Sequence, residues 1–286
     1  MPVAELIKQD NIMRTTAITS LLLVATLTGG FMACKSDNPA SATSGPVSFV
    51  FDNVVGNQDL KLATGVYQNG AGESFTPTAF NYFVSNITLT RADGSQYVVP
   101  QDSSYFLIKE DVPATQRITL RNVPFGDYKA MSFVLGVDSL RSTMDISRRT
   151  GVLDPAGDHT SASGMYWSWN SGYIFLKLEG TSPSAPVNAT GNRNFRYHIG
   201  FFGGYSTRTI NNLKTIRIPF GSDVATIAPG RVPVVTLQAD VLKVFDGVKR
   251  MSINANSEIM VSLLSADVAN NYAQMMTYKR ITTATN

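Results

Sequence analysis

The residues able to do unusual chemistry in this chain are few and sit close together. Both tryptophans, Trp167 and Trp169, fall within "GMYWSWNSGY", residues 164–173, flanked by Tyr166 and Tyr173. The two histidines are His159, in the loop just before the tryptophans, and His198, in the apolar run "FRYHIGFFGG". In an extended strand Trp167 and Trp169 project to one side, while Tyr166 and Ser168 point to the other. A pair of large rings on one face is commonly core packing, because each buries much apolar area. Here the Asn, Ser and Gly that follow place the pair at the end of a strand, where sites are usually built.

Other chemistries find less support. Zinc catalysis draws three protein ligands mostly from His, Cys and carboxylates, and this chain has two histidines and a single cysteine. No G-x-S-x-G elbow is present, and no glycine-rich loop joins a strand to a helix for phosphate binding. Asp138, in "GVDSLRST", follows a strand and is a candidate site carboxylate; the competing reading is a cap on the turn that follows. The Asp-Gly pairs lack the spaced oxygen ligands that calcium takes. Without an acid/base or nucleophile arrangement, an enzyme is not expected. The net charge of +3 and the absence of a basic block argue against nucleic acid.

The elements that must position these residues read as β throughout. "VSFVFDN", "NYFVSNITLT", "QYVVP", "YFLIK", "RITLRNVP", "YKAMSFVLGV", "YIFLKLEG", "RYHIGFFGG", "TIRIPFG" and "PVVTLQADVL" are short apolar runs rich in β-branched and aromatic residues and bounded by turn residues. Asp93-Gly94 separates two of them with a hairpin signal. In "YIFLKLEG", Ile174, Leu176 and Leu178 share one face, Lys177 and Glu179 the other. The pattern predicts an all-β sandwich with Greek-key-like connections and one or two short helices, one in "ADVLKVFDG" and one capped by Ser265 with Val268, Tyr272, Met275 and Met276 at helical spacing. "GTSPSAPVNATGNRN" is the most loop-like internal segment.

The first residues have another purpose. "MRTTAITSLLLVATLTGGFMAC" has the charged start, apolar run and small-residue end of a secretory signal, and Met13 is a candidate initiator. Cys34, the sole cysteine, stands where the apolar run ends and is the candidate for lipidation. The expected organisation is a signal at 1–33, a polar lipid-anchored tether at 34–46, one β-sandwich domain at 47–280 and a tail at 281–286. That layout predicts a lipoprotein of the cell envelope, periplasmic or on the outer membrane, held through its lipid alone.

Several segments, in order, resemble the MbnP-like family of exported bacterial copper-binding proteins. They are "FDNVVGNQDLKL", "YQNGAGESFTPTAFNYFVSNITLTRADGS", "VPFGDYKAMSFVLGVDS", "TGVLDP", "MYWSWNSGYIFLKLEG", "YHIGFFGG" and "NNYAQMM". The resemblance implies a β-sandwich whose partner, a di-haem c-type cytochrome of the peroxidase-like type, oxidises a tryptophan to kynurenine, and whose modified site binds copper. Carried over by position, Trp167 and Trp169 are the modification candidates and His198 the leading ligand. Asp52 stands where some relatives place a histidine near the first strand. Met275 and Met276 offer thioethers suited to Cu(I), although methionines on a helix commonly pack. The reading from another class is a surface sandwich that binds a glycan or a protein through exposed aromatics, without metal.

Overall fold

A computed structural model describes residues 43–157, 164–167 and 170–285. The strands, in chain order, are β1 (Ser44–Val55), β2 (Gln58–Asp59), β3 (Tyr67–Gln68), β4 (Ser74–Arg91), β5 (Gln96–Val98), β6 (Tyr105–Lys109), β7 (Arg117–Pro124), β8 (Gly126–Leu135), β9 (Ile174–Thr181), β10 (Asn194–Gly200), β11 (Lys214–Pro219), β12 (Ala225–Ile227), β13 (Arg231–Asp240), β14 (Glu258–Ile259) and β15 (Met276–Thr285). The helices are α1 (Ser139–Thr143), α2 (Leu242–Phe245) and α3 (Leu264–Tyr272). None of the described helices is long and apolar enough to cross a membrane.

Two sheets form the predicted all-β sandwich. The smaller runs β15-β13-β1, with β2 and β7 both pairing to β1; β1 and β13 are parallel. The larger, ten-stranded sheet runs β11-β8-β4-β9-β10-β14, with β3, β5 and β6 added to β4 and β12 to β8. β4 is the organiser: its first half pairs with β9 and its second half with β8. The register shifts at Asn86, which lies at φ 52°, a left-handed conformation that asparagine tolerates better than most residues. Asp93-Gly94 makes the expected turn from β4 to β5, with Gly94 at φ 88°.

The strand alternation assigns each side chain a face. Phe49 and Phe51 of β1 are buried, and the Phe51 ring meets Tyr82 of β4 and Phe133 of β8 at centroid distances of 6.1 and 6.2 Å. Tyr82, Leu176 and Ile199 form one cross-strand row, and all three are fully buried. This is the inner face of the larger sheet. The neighbouring row, Asn81, Lys177 and His198, is on its outer face.

Two C-terminal expectations need correction. Ser265 lies inside α3 and accepts a hydrogen bond from Asn212 Nδ2; the hydroxyl that receives Leu264 N at the helix start belongs to Ser262. Met276 and residues 281–285 of the expected tail belong to β15, the strand that pairs antiparallel to β13 and ends the smaller sheet. Thr, Ile and Tyr suit a pleated surface, and the exposed edge of β13 supplies the partner.

Candidate functional site

The tryptophan segment is a hairpin laid against the start of β9. Tyr166 bridges Tyr173, Trp167 N donates to Gly172 O at 2.8 Å, and Ile174 N donates to Met165 O at 2.9 Å. Gly172, at φ 66°, makes the return that other residues rarely adopt. Tyr173 is wholly buried, packed edge-on to Tyr166 at 5.0 Å and Phe83 at 5.7 Å, with its hydroxyl donated to Leu153 O. Burial raises its phenol above the ordinary range. Tyr173 is therefore the pillar of the hairpin, with no face left for a ligand.

Trp167 is partly exposed, and its ring rests on Gly200 and against Phe201, 5.7 Å between centroids. Phe201 sits at φ 76°, an unusual conformation for a bulky residue and a local strain of about 1–3 kcal/mol. That turn swings the chain after β10 so that Phe201 reaches the indole. Gly200 lies two residues beyond His198, so the indole covers a point about 7 Å along the strand from the histidine. A Cβ at Gly200 would lie 2.6 Å from Tyr173 O and 2.8 Å from the Trp167 ring. Gly200→Ala is accordingly expected to displace the indole and cost about 1–3 kcal/mol. Tryptophan fluorescence and urea unfolding check this; an unchanged emission maximum would show that the ring does not depend on the glycine.

His198 donates from Nε2 to Glu179 Oε1 at 2.7 Å, across the antiparallel pair β9–β10. Lys177 Nζ lies 3.5 Å from the same oxygen. The bond from His198, aided by Lys177, holds the Glu179 carboxyl below its usual range against the opposing effect of burial. With Glu179 ionised, Nε2 must carry the hydrogen, and the lone pair of the neutral ring is then on Nδ1. Carboxylate–imidazole pairs of this kind orient metal-binding histidines. Gly164 is stationed beside Lys177, where an added Cβ would stand 3.3 Å from Nζ, so the hairpin and the Lys177–Glu179–His198 set share one outer face.

The remaining candidates are placed elsewhere. Asp52 projects from the outer face of the smaller sheet, next to the inward Phe51, and pairs with Lys279 at 2.5 Å. It is thus on the opposite side of the sandwich from His198 and cannot share a ligand with it. Met275 is fully buried in the core between α3 and β15, consistent with packing. Asp138 caps α1 by accepting from Arg141 N and also accepts from Tyr105 and Asn86. Burial opposes its charge, but these donors prevail and keep the carboxyl below the usual range. Cys34, His159 and Trp169 lie outside the described residues. Among the described residues, no group of three or more His, Cys, Asp or Glu side chains is arranged to hold a metal ion.

The residue that sequence reasoning missed as functional is Glu179. Its alternation with Leu178 marked it as outward, yet only the pairing of β9 with β10 reveals its histidine partner.

The family model for MbnP matches residues 44–261. This chain belongs to the MbnP family. The match takes in the tryptophan hairpin, His198 and Glu179, so the face described above is part of the family domain. Among solved structures, MbnP from Methylosinus trichosporium is similar, with 16% identity and a TM-score of 0.48 over 71% of this chain and 77% of that one. No curated protein sequence matches.

Proposed function

We propose that this chain is an exported, lipid-anchored copper-binding member of the MbnP family, not an enzyme, whose site forms on the outer face of β9 and β10. The observation that carries the reading is the position of the Trp167 indole over Gly200, one strand repeat from a histidine already oriented by Glu179. Imidazole suits copper, and His198 would hold the metal through its free Nδ1, with Glu179 its positioning partner. One imidazole is too few donors, and the described side chains offer no complete cluster. Copper binding in this chain therefore depends on the groups that oxidation of Trp167 to kynurenine supplies, an aryl amine and a carbonyl.

In that four-electron conversion the indole C2–C3 bond breaks and C3 becomes a ketone, and water then hydrolyses the N1–C2 bond, which frees the aryl amine and releases C2 as formate. Two equivalents of hydrogen peroxide are the oxidant, each reduced to water, and a di-haem c-type cytochrome of the peroxidase-like type is the partner that drives it. Partial exposure of Trp167 supports its accessibility to such a partner. Cys34, in this reading, carries the lipid that holds the domain at the cell envelope, in the periplasm or on the outer membrane.

Protein produced with and without the cytochrome tests the proposal. Unmodified protein is expected to retain no copper after dialysis; co-expressed protein is expected to retain it and to show the kynurenine mass on the peptide bearing Trp167. Glu179→Gln should weaken copper by about 10–100-fold, as loss of a histidine's orienting partner typically does, and His198→Gln should weaken it further. Copper retained equally by unmodified protein, or modification confined to Trp169, would remove Trp167 from the site.

A further inference from the structure

Beside the tryptophan hairpin the surface opens into a cavity of about 270 Å3. Its walls come from three segments far apart in sequence: Ser142 and Arg149 after β8, Tyr166 and Asn170 of the hairpin, and Phe202, Tyr205 and Ser206 after β10. We propose that this cavity is a binding site for a small carboxylate carrying a single ring.

The charge argument rests on Arg149. Its Nε donates to Met144 O at 2.8 Å and its Nη1 to the Tyr166 hydroxyl oxygen at 3.2 Å, both neutral acceptors. Among the described residues Arg149 forms no ion pair, and a further neighbour is the neutral Tyr173 phenol. Asp145, close enough to feel its charge, is turned to Ser147, whose N and hydroxyl it accepts. Among the described residues, no carboxylate lines the cavity. A half-buried guanidinium whose hydrogen-bond acceptors among the described residues are all neutral is an anion-seeking arrangement, because a partly desolvated charge gains most from a charge-assisted partner. The Tyr166 hydroxyl accepts from Arg149 and its own hydrogen has no acceptor among the described residues, so it supplies a second donor toward the same anion.

The shape argument rests on the aromatic walls. Tyr166, Phe202 and Tyr205 give flat apolar surfaces around the cation, the usual anatomy of a small-molecule pocket with a few convergent polar groups. Tyr205 is 65% exposed at the mouth, yet its backbone is pinned. Tyr205 N and Ser206 N both donate to Asn170 Oδ1, and Asn170 Nδ2 donates to Thr207 O. An exposed ring on an anchored backbone is costly to leave in water and ready to cover a ligand. The volume falls just below the range of roughly 300–1,000 Å3 usual for drug-sized ligands, which suits a single ring and excludes a nucleotide.

Titration calorimetry with benzoate, benzamide and acetate, on the full-length protein and on Arg149→Gln and Tyr205→Ala, decides the matter. Wild type should bind benzoate saturably, with benzamide and acetate weaker by at least about tenfold, equivalent to 1.4 kcal/mol. Arg149→Gln should lose benzoate binding by a similar factor. Tyr205→Ala, which alters an exposed side chain and leaves the fold intact, should do so too and decides the question if Arg149→Gln fails to fold. No saturable heat with benzoate on wild type, equal binding of benzamide, or unchanged benzoate binding in the folded variants overturns the proposal. None of these readings depends on copper or on the state of Trp167.

Discussion

Phe75→Ala is expected to lower the unfolding free energy by about 3–5 kcal/mol, the usual cost of removing a fully buried phenylalanine. Phe75 opens β4 and is completely enclosed, with ring centroids 4.9 Å from Phe245, 5.9 Å from Tyr67 and 6.0 Å from Phe195. Phe195 and Tyr197 complete the set against Phe245, at 5.8 and 5.5 Å. These rings join the paired strands β3 and β4 to β10 and α2, which are not their neighbours in the sheet, so the cavity left by alanine cannot close by the shift of one neighbour. Urea unfolding followed by circular dichroism measures the loss; a decrease below about 1 kcal/mol would mean that the cluster collapses around the gap. Because Tyr197 and His198 point to opposite faces of β10, the aromatic cluster and the candidate site can be damaged separately.

A second large effect is expected at Glu73. This carboxylate is 9% exposed, and its oxygens accept from Asn69 Nδ2 at 2.8 Å, Ser252 Oγ at 2.8 Å, Ile253 N at 2.6 Å and Asn254 N at 2.9 Å. It ties the turn before β4 to the irregular segment that precedes β14. Burial opposes the charge, but the four donors outweigh it and hold the carboxyl below its usual range. Glu73→Gln replaces one acceptor oxygen by an amide NH2 facing donors, at a cost on the order of 3 kcal/mol near neutral pH.

The sign of the pH dependence follows from the depressed folded-state value. The contribution of Glu73 is fully present above the unfolded carboxyl's range, about pH 4.3, and is lost as pH falls through the lower folded value. The stability difference between wild type and Glu73→Gln should therefore hold steady from neutral pH to about pH 5 and shrink on further acidification. Urea midpoints across that range test it, and a difference independent of pH would show that charge is not what Glu73 contributes.

Period-two alternation made the strands legible from the amino-acid sequence, and with them the all-β class, the Asp93-Gly94 hairpin and the outward direction of Lys177 and Glu179. Each of these is a local property, set within a few residues by backbone sterics and the division of apolar from polar side chains. The clustering of the tryptophans and the scarcity of histidine marked the region worth examining. Alternation is silent, however, about which strands become neighbours and which sheet a strand joins. Asp52 and His198 are both candidate ligands, and only the packing of β1 against β4 and β8 puts them on opposite outer faces. Glu179 acquires its role from the register that sets β9 beside β10, and β15 exists as a strand because β13 offers it an edge. Trp167 is held over Gly200 by a turn at Phe201 whose left-handed backbone no local preference would select. These features come from long-range pairing, where the burial gained elsewhere in the molecule outweighs what the local chain would choose, and they decide which of the candidate residues can act together.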